Sequence, residues 1–539
     1  MTRSDTAPVA RPRCPTLKAL TVLLIGLVAL EYGLWLPQYL TWPWWADHDV
    51  FASLAQGWDS GLKPYRDLLG NNFPGAIYLF WIAGKLCGWG NTAAYNGLDA
   101  LLNSVFGIAV LAWSRRRLGT WLPGAVTLFA LGSYYFALDF TQVAQRDWHA
   151  AMFVSSAMMA IEALPGRSGR WLSVLLVAVA FTIRPQAVLF IPVLLWSLRG
   201  TENPLTAREG LPVSGLDLRL MASWLILLSI LTAVFFLPLI IQGLMGDFVR
   251  GLRAVLPGSG YGQGKLAQFE MLARSLFVGR VWGLPLAIAL VSPSATASTR
   301  SSTIGWLLML GGSIAYMATM PVLRTYSYHP FWMLWAFVLG NLVAMLVEVA
   351  DRPWRDRVLA ITLFCIIMDM ESIPRICSPK RFVSAVKSLA TGQPPEQAPW
   401  GYRLAFSDSV VLFPWSEYQA TLRYLRTELG PETRVANALK GVALNGPAGR
   451  LSAFPAESAT WLFVVQPRDE EKFIMALRAT PDSVVVWAPE ATGVTSVPDQ
   501  FPRLAQTIRL LYEPSARFGA IEVWRRRPTT GHEAARHVD

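Results

Sequence analysis

The chain has 539 residues, 53% hydrophobic and only 15% charged, with 23 tryptophans and a formal net charge of +11. Soluble domains carry about 25% charged residues, so no purely soluble core explains this composition. The positive charge does not point to nucleic acid either, because it clusters in short loops between apolar stretches and implies only an anionic leaflet or an anionic lipid substrate.

A membrane-spanning helix needs roughly 20 mostly apolar residues. Stretches near that length recur at 17–40, 94–114, 119–138, 147–164, 171–184, 186–198, 220–242, 276–293, 303–321, 329–350 and 358–374, which predicts about eleven transmembrane helices. The N-terminus carries Arg3, Arg11, Arg13 and Lys18 before its apolar run, like a signal peptide. The run continues to Leu40, and Trp42, Trp44 and Trp45 replace a small-residue cleavage site, so the segment reads as an uncleaved first helix with a cytoplasmic N-terminus. Pro185 splits a long apolar stretch beside Arg184, and a proline inside a helix costs about 3 kcal/mol, so a helical hairpin is expected there.

The run from Phe73 to Trp89 is interrupted by Gly75, Gly84 and Lys85. If it crossed the membrane, Arg115, Arg116 and Arg117 would fall outside. If it lies in the interface, that cluster falls inside, as do Arg167/Arg170, Arg199/Arg208/Arg219, Arg300 and Arg352/Arg355/Arg357. Five loops then agree on one orientation, so 73–89 is expected to be an interfacial helix. The outer face holds 41–93, 139–146, 243–275, 322–328 and everything after 375.

Composition changes near Ser378, dividing the chain into a membrane domain (1–376) and an outer α/β domain with a polar tail (377–539). Residues 415–429 and 469–478 read as helices, while 460–466, 482–488 and 520–526 read as strands. The expected fold is therefore mainly α: a polytopic bundle with interfacial helices in its first outer loop and a small C-terminal α/β domain. Cys14, Cys87, Cys365 and Cys377 show neither a CxxC pair nor zinc spacing, which argues against a disulfide framework.

Polar side chains gather at the outer face. The first outer loop opens TWPWWADHDVF, which puts Asp47 and Asp49 behind tryptophans that favour the interface. A partly desolvated carboxylate there can act as a general base on a hydroxyl. Two carboxylates at this spacing can instead share a magnesium or manganese ion, or can be plain hydrated loop acids. Lys63 and Arg66 stand within reach of an interfacial anion such as a lipid phosphate, or serve as basic anchors, and Asn72 to Gly75 reads as a turn. In the second outer loop Gln145, Arg146 and Asp147 precede a span, which Asp147 can cap. In the late loop Arg324 and His329 can meet phosphate while Tyr326 and Tyr328 stack on a sugar; tyrosine is also common at interfaces.

With these residues in view, the sequence resembles the GT-C superfamily of polytopic glycosyltransferases. The likeness is greatest to the bacterial branch with protein O-mannosyltransferases and the lipid A aminoarabinose transferase. Asp47 matches the family's first acidic position, the catalytic base; His48 stands where many members have glutamate, and the second acid is displaced to Asp49. Together Asp49 and His48 are the candidate ligands for a cation. The segment Pro64-Tyr65-Arg66-Asp67 is similar to a "PY-x-D" step, and Asn72 to Tyr78 to a "KPP…Y" turn whose lysine is replaced by Asn72 or Phe73. Asp147 matches the acid that opens the next span, and Tyr328-His329-Pro330 a late "YHP" element.

The resemblance implies an inverting transfer from a polyprenyl-phosphate-linked sugar to a hydroxyl of a glycan, lipid or protein, at the outer face of a bacterial inner membrane. Asp47 would be the base. Arg66, Arg146 and Arg324, with Asn72, Asp147, Tyr328 and His329, would hold donor phosphate and sugar. Competing readings are a flippase for lipid-linked saccharide, which would show paired repeats and midplane polar groups, and a noncatalytic envelope scaffold.

Overall fold

The structure, a computed structural model, describes residues 15–164, 166–198, 217–254, 270, 297–320, 323–349, 375–402, 413–493 and 495–528. The expected spans at 276–293 and 358–374, and nearly all of the polar tail, lie outside these residues.

Helices form where the apolar runs are long. In chain order they are α1 (Pro15–Leu40), α2 (Ala46–Asp59), α3 (Pro74–Cys87), α4 (Thr92–Arg117), α5 (Leu122–Tyr135), α6 (Arg146–Ala163) and α7 (Gly166–Ile183). A 3-10 turn, Pro185–Phe190, then leads into α8 (Ile191–Ser197), α9 (Leu218–Ile241) and α10 (Met245–Arg253). The bundle closes with α11 (Ala297–Ala318) and α12 (His329–Val349). Among the described residues five helical stretches are long and apolar enough to cross a membrane: Leu17–Leu40, Thr92–Arg117, Gly166–Ile183, Leu218–Ile241 and Thr325–Glu348. About eleven are expected from the sequence. The helices α5, α6 and α11 lie at expected spans, but α5 has only 14 residues and α6 carries Arg146, Asp147 and Glu162.

Helix α3 has 14 residues. At 1.5 Å per residue it is about 21 Å long, short of a hydrocarbon core of about 30 Å, which suits an interfacial position. The break at Pro185 falls where expected, because a residue before proline is pushed out of helical conformation; Arg184 is extended (φ −144°, ψ 116°). Trp35, Trp113, Trp148, Trp306 and Phe337 fill the bundle, while Val22, Leu30, Ile226, Ile230 and Ile241 are turned outward on α1 and α9, where lipid is the compatible solvent. Glu162 accepts indole N–H bonds from Trp113 (2.7 Å) and Trp306 (3.2 Å), so one carboxylate ties α6 to α4 and α11.

After the bundle, α13 (Pro379–Thr391) packs on α1. The elements that follow are α14 (Trp415–Thr427), β1 (Arg434–Asn437), α15 (Asn445–Ala448), α16 (Thr460–Val464), α17 (Glu470–Ala479), β2 (Ser483–Trp487), α18 (Val497–Gln500), α19 (Pro502–Leu511), β3 (Tyr512–Phe518) and β4 (Ile521–Arg526). The strands form one sheet in the order β1-β2-β4-β3, with β1 parallel to β2 and the other pairs antiparallel. The helices expected at 415–429 and 469–478 and the strands expected at 482–488 and 520–526 are present. The strand expected at 460–466 is a helix instead. Short apolar runs do not distinguish the two states by periodicity, and here Trp461 donates to Asp469 (2.9 Å) while Leu462 is buried in the core. Two further strands, β1 and β3, were not expected; β1 is a run of only four residues with little pattern to reveal it.

This domain sits on the first loop of the bundle. Trp45 bridges to Val442, Gln56 donates to the Gly449 carbonyl (2.9 Å), and Leu69 N–H donates to the Pro455 carbonyl (2.5 Å).

Candidate active site

Helix α2 starts at the end of the bundle, after Pro43, Trp44 and an extended Trp45. Its first turn holds Asp47 and Asp49, where helix N–H groups favour negative charge. Residues two apart on a helix lie about 200° apart around its axis, so the two carboxylates face different ways.

Asp49 faces the C-terminal domain. Its Oδ2 accepts N–H bonds from Leu444 (2.8 Å) and Asn445 (3.2 Å), and its Oδ1 accepts one from Gly446 (2.5 Å). A Cβ at position 446 would come within 2.7 Å of Oδ1, so glycine permits the approach. Burial pushes the Asp49 carboxyl up to about 6, against the pull of the three donors. His48 is buried against Phe80 and Tyr95, and burial lowers its imidazole to about 4. Of the two expected cation ligands, His48 keeps a buried Nε2 with no hydrogen-bond partner among the described residues, whereas Asp49 is closed off. Both Asp49 oxygens are occupied by N–H donors, and no group of three or more His, Cys, Asp or Glu among the described residues is arranged to hold a metal.

Asp47 faces the bundle. Its Oδ2 is buried with no hydrogen-bond partner among the described residues. It lies in the field of Arg146, with Tyr326 and Glu457 also close. Arg146 opens α6; its guanidinium lies 5.4 Å from the Phe51 ring, and its buried Nε is likewise without a partner. An unsatisfied buried polar atom costs free energy that a bound ligand can recover. Here a carboxylate oxygen and a guanidinium nitrogen are both left unmatched in one place.

Asp147 is the opposite case. Its Oδ2 pairs with Arg184 at 2.6 Å and its Oδ1 accepts the Tyr316 hydroxyl at 2.6 Å, all inside the bundle. It lies beside Arg146 but is saturated by protein groups. Sequence reasoning noted Arg184 only beside the helix break at Pro185, without a role, and passed over Tyr316. A charge inside an apolar stretch needs a partner, and that was the available signal for Arg184.

The remaining candidates divide. Arg66 donates to Asp247 (2.8 Å) and to the Gly243 carbonyl (3.1 Å), so its charge is committed to α10. Asn72 accepts the Tyr65 hydroxyl on its carbonyl (2.8 Å) and donates to Asn71 (2.9 Å), holding the turn before α3. His329 uses both ring nitrogens: Nδ1 meets the Tyr134 hydroxyl at 2.7 Å and Nε2 the Gln142 carbonyl at 2.8 Å. It therefore holds the second outer loop and has no ring nitrogen left for phosphate. The Tyr328 hydroxyl is buried without a hydrogen-bond partner among the described residues, and Arg324 is exposed, its charge felt by Lys440 of the C-terminal domain. Glu457, from the same domain, was missed altogether because nothing in FPAESATW marks it. Burial pushes its carboxyl up to about 8, and the fields of Asp49 and Asp47 add to the rise.

No protein-family model matches the sequence, and no curated protein matches it. Among solved structures, the crystal structure of ArnT from Cupriavidus metallidurans in the apo state aligns with a TM-score of 0.54, over 94% of this chain and 98% of that one, at 14% identity. The chain has the ArnT fold. The likeness spans bundle and C-terminal domain alike, and it bears out the resemblance to GT-C enzymes at the level of fold. On this ArnT-like frame, the Asp47–Arg146 pair stands on its own electrostatics and burial.

Proposed function

We propose that the protein transfers a sugar from a polyprenyl-phosphate-linked donor to an acceptor hydroxyl, at the outer face of a bacterial inner membrane. The observation that carries this reading is the buried Asp47 oxygen, in the field of Arg146, with neither it nor the Arg146 Nε having a hydrogen-bond partner among the described residues. The ArnT-like fold supports it, since ArnT is a lipid A aminoarabinose transferase.

Asp47 acts as general base. It takes the proton of the acceptor hydroxyl as that oxygen attacks the anomeric carbon. The bond from that carbon to the lipid phosphate breaks on the opposite face, which inverts the centre. Negative charge grows on the departing phosphate, and Arg146 stabilises it in a low-dielectric pocket. The proton on Asp47 then passes to solvent. Arg184 and Tyr316 hold Asp147, and with it the first turn of α6 from which Arg146 projects. Arg324 and Tyr328 line the approach, where a charged or stacking group meets the sugar phosphate.

The test is mass spectrometry of envelope glycolipids, glycans and glycoproteins from cells carrying the intact gene, a deletion, or Asp47→Asn. The expected result is one glycosylated species that deletion and Asp47→Asn both remove, with the variant present in the membrane at normal level. An unchanged product from a folded Asp47→Asn protein would remove Asp47 as the base.

A further inference from the structure

Asp99 lies on α4, eight residues from the helix start and almost completely buried. A carboxylate at such depth requires partners, and it has three. The Tyr39 hydroxyl of α1 donates to its Oδ2 at 2.9 Å, the Tyr135 hydroxyl of α5 donates to the same oxygen at 2.7 Å, and His149 Nε2 of α6 meets Oδ1 at 2.7 Å. Four helices thus converge on one side chain.

Two of these partners lead to Arg146. The Tyr135 oxygen accepts the N–H of Ala144 at 2.9 Å, and the Tyr95 hydroxyl donates to the Ala144 carbonyl at 3.2 Å. Ala144 has φ +53°, a left-handed conformation that non-glycine residues enter only when held. It stands two residues before Arg146, and His149 stands three residues after it in the same helical turn. Arg146 makes no ion pair among the described residues, and the contact of its guanidinium with the Phe51 ring at 5.4 Å does not by itself set its place. The backbone on either side of it does, and both sides are tied to Asp99.

We infer that Asp99 is a positioning residue, which aims the Arg146 guanidinium at the phosphate site through Tyr135–Ala144 on one side and His149 on the other. This rests on the proposed role of Arg146 and adds to it a buried hub that touches no substrate.

The test uses the purified full-length protein in nanodiscs and two probes, undecaprenyl phosphate and the neutral alcohol undecaprenol. Arg146→Ala is expected to weaken undecaprenyl phosphate binding by about tenfold or more, the scale of a lost charge-assisted contact, and to leave undecaprenol unchanged. Tyr135→Phe keeps the ring but frees the Ala144 N–H; it is expected to weaken the phosphate probe by at least about threefold, again without effect on the alcohol. In the Arg146→Ala background Tyr135→Phe should add nothing, because its effect is exerted through the missing guanidinium. Tyr95→Phe, which releases the Ala144 carbonyl, serves in the same cycle if Tyr135→Phe does not fold. The inference is overturned if the tyrosine variant binds the phosphate probe like wild type, if both probes weaken together, or if the losses multiply in the double variant. Unchanged phosphate binding by Arg146→Ala is a different failure: it removes the phosphate role of Arg146, and the positioning role with it.

Discussion

The Asp99 cluster and the Asp47–Arg146 pair are built from the same kinds of residue, at the same end of one bundle. Asp99 has a hydrogen-bond donor for each oxygen, supplied by Tyr39, Tyr135 and His149. Among the described residues, Asp47 has a buried oxygen with no donor and Arg146 a buried nitrogen with no acceptor. A satisfied polar network rigidifies a fold, whereas an unsatisfied one stays costly until something binds. The contrast separates groups that hold the site from groups that work in it, and residue type alone does not make that separation.

The largest effect should come from Asp47. Removing a general base lowers rates by about 10²–10⁴, so Asp47→Asn should abolish measurable transfer while the thermal melting temperature stays the same or rises, since no partner is lost. A matching loss of stability would place Asp47 with the holding groups.

Asp147→Ala should do the reverse. It leaves Arg184 buried without its partner, and breaking such a pair costs about 3–5 kcal/mol. A large drop in melting temperature is expected from Asp147→Ala and little change from Arg146→Ala, both read by thermal unfolding in detergent.

Glu457 gives a pH test. Its carboxyl is raised in the folded protein to about 8, so the folded state holds a proton that the unfolded chain releases near pH 4.5. The stability from that proton is fully present below the unfolded value and is lost as pH rises to about 8. Glu457→Gln should therefore stabilise the protein by an amount on the order of 4 kcal/mol at pH 8 and by almost nothing at pH 4. A melting-temperature difference that does not vary with pH would contradict the burial of this acid.

The smallest effect belongs to Arg66. Its pair with Asp247 is 43% exposed on the arginine side. Exposed pairs contribute about 0–1 kcal/mol, so Arg66→Ala should barely change melting temperature or transfer. A loss of transfer comparable to that of Arg146→Ala would return Arg66 to the phosphate site.

Much of the frame is legible in the sequence, because a spanning helix is a property of a contiguous apolar run. The helices α1, α4, α9 and α12 lie close to their expected positions, and the break at Pro185 follows from proline's missing N–H and the constraint on the residue before it. Asp47 is legible too, as an acid just past a span and behind tryptophans. What no local pattern contains is which polar groups meet. Arg184 finds Asp147 from 37 positions away, Tyr316 finds it from 169, and the N–H of Leu444 finds Asp49 from 395. The sequence by itself determined where helices form and at which end polar residues collect. Only the packing of helix ends and the docking of the C-terminal domain decided which charges are neutralised and which remain open, because hydrogen bonds act over about 3 Å and depend on neighbours in space.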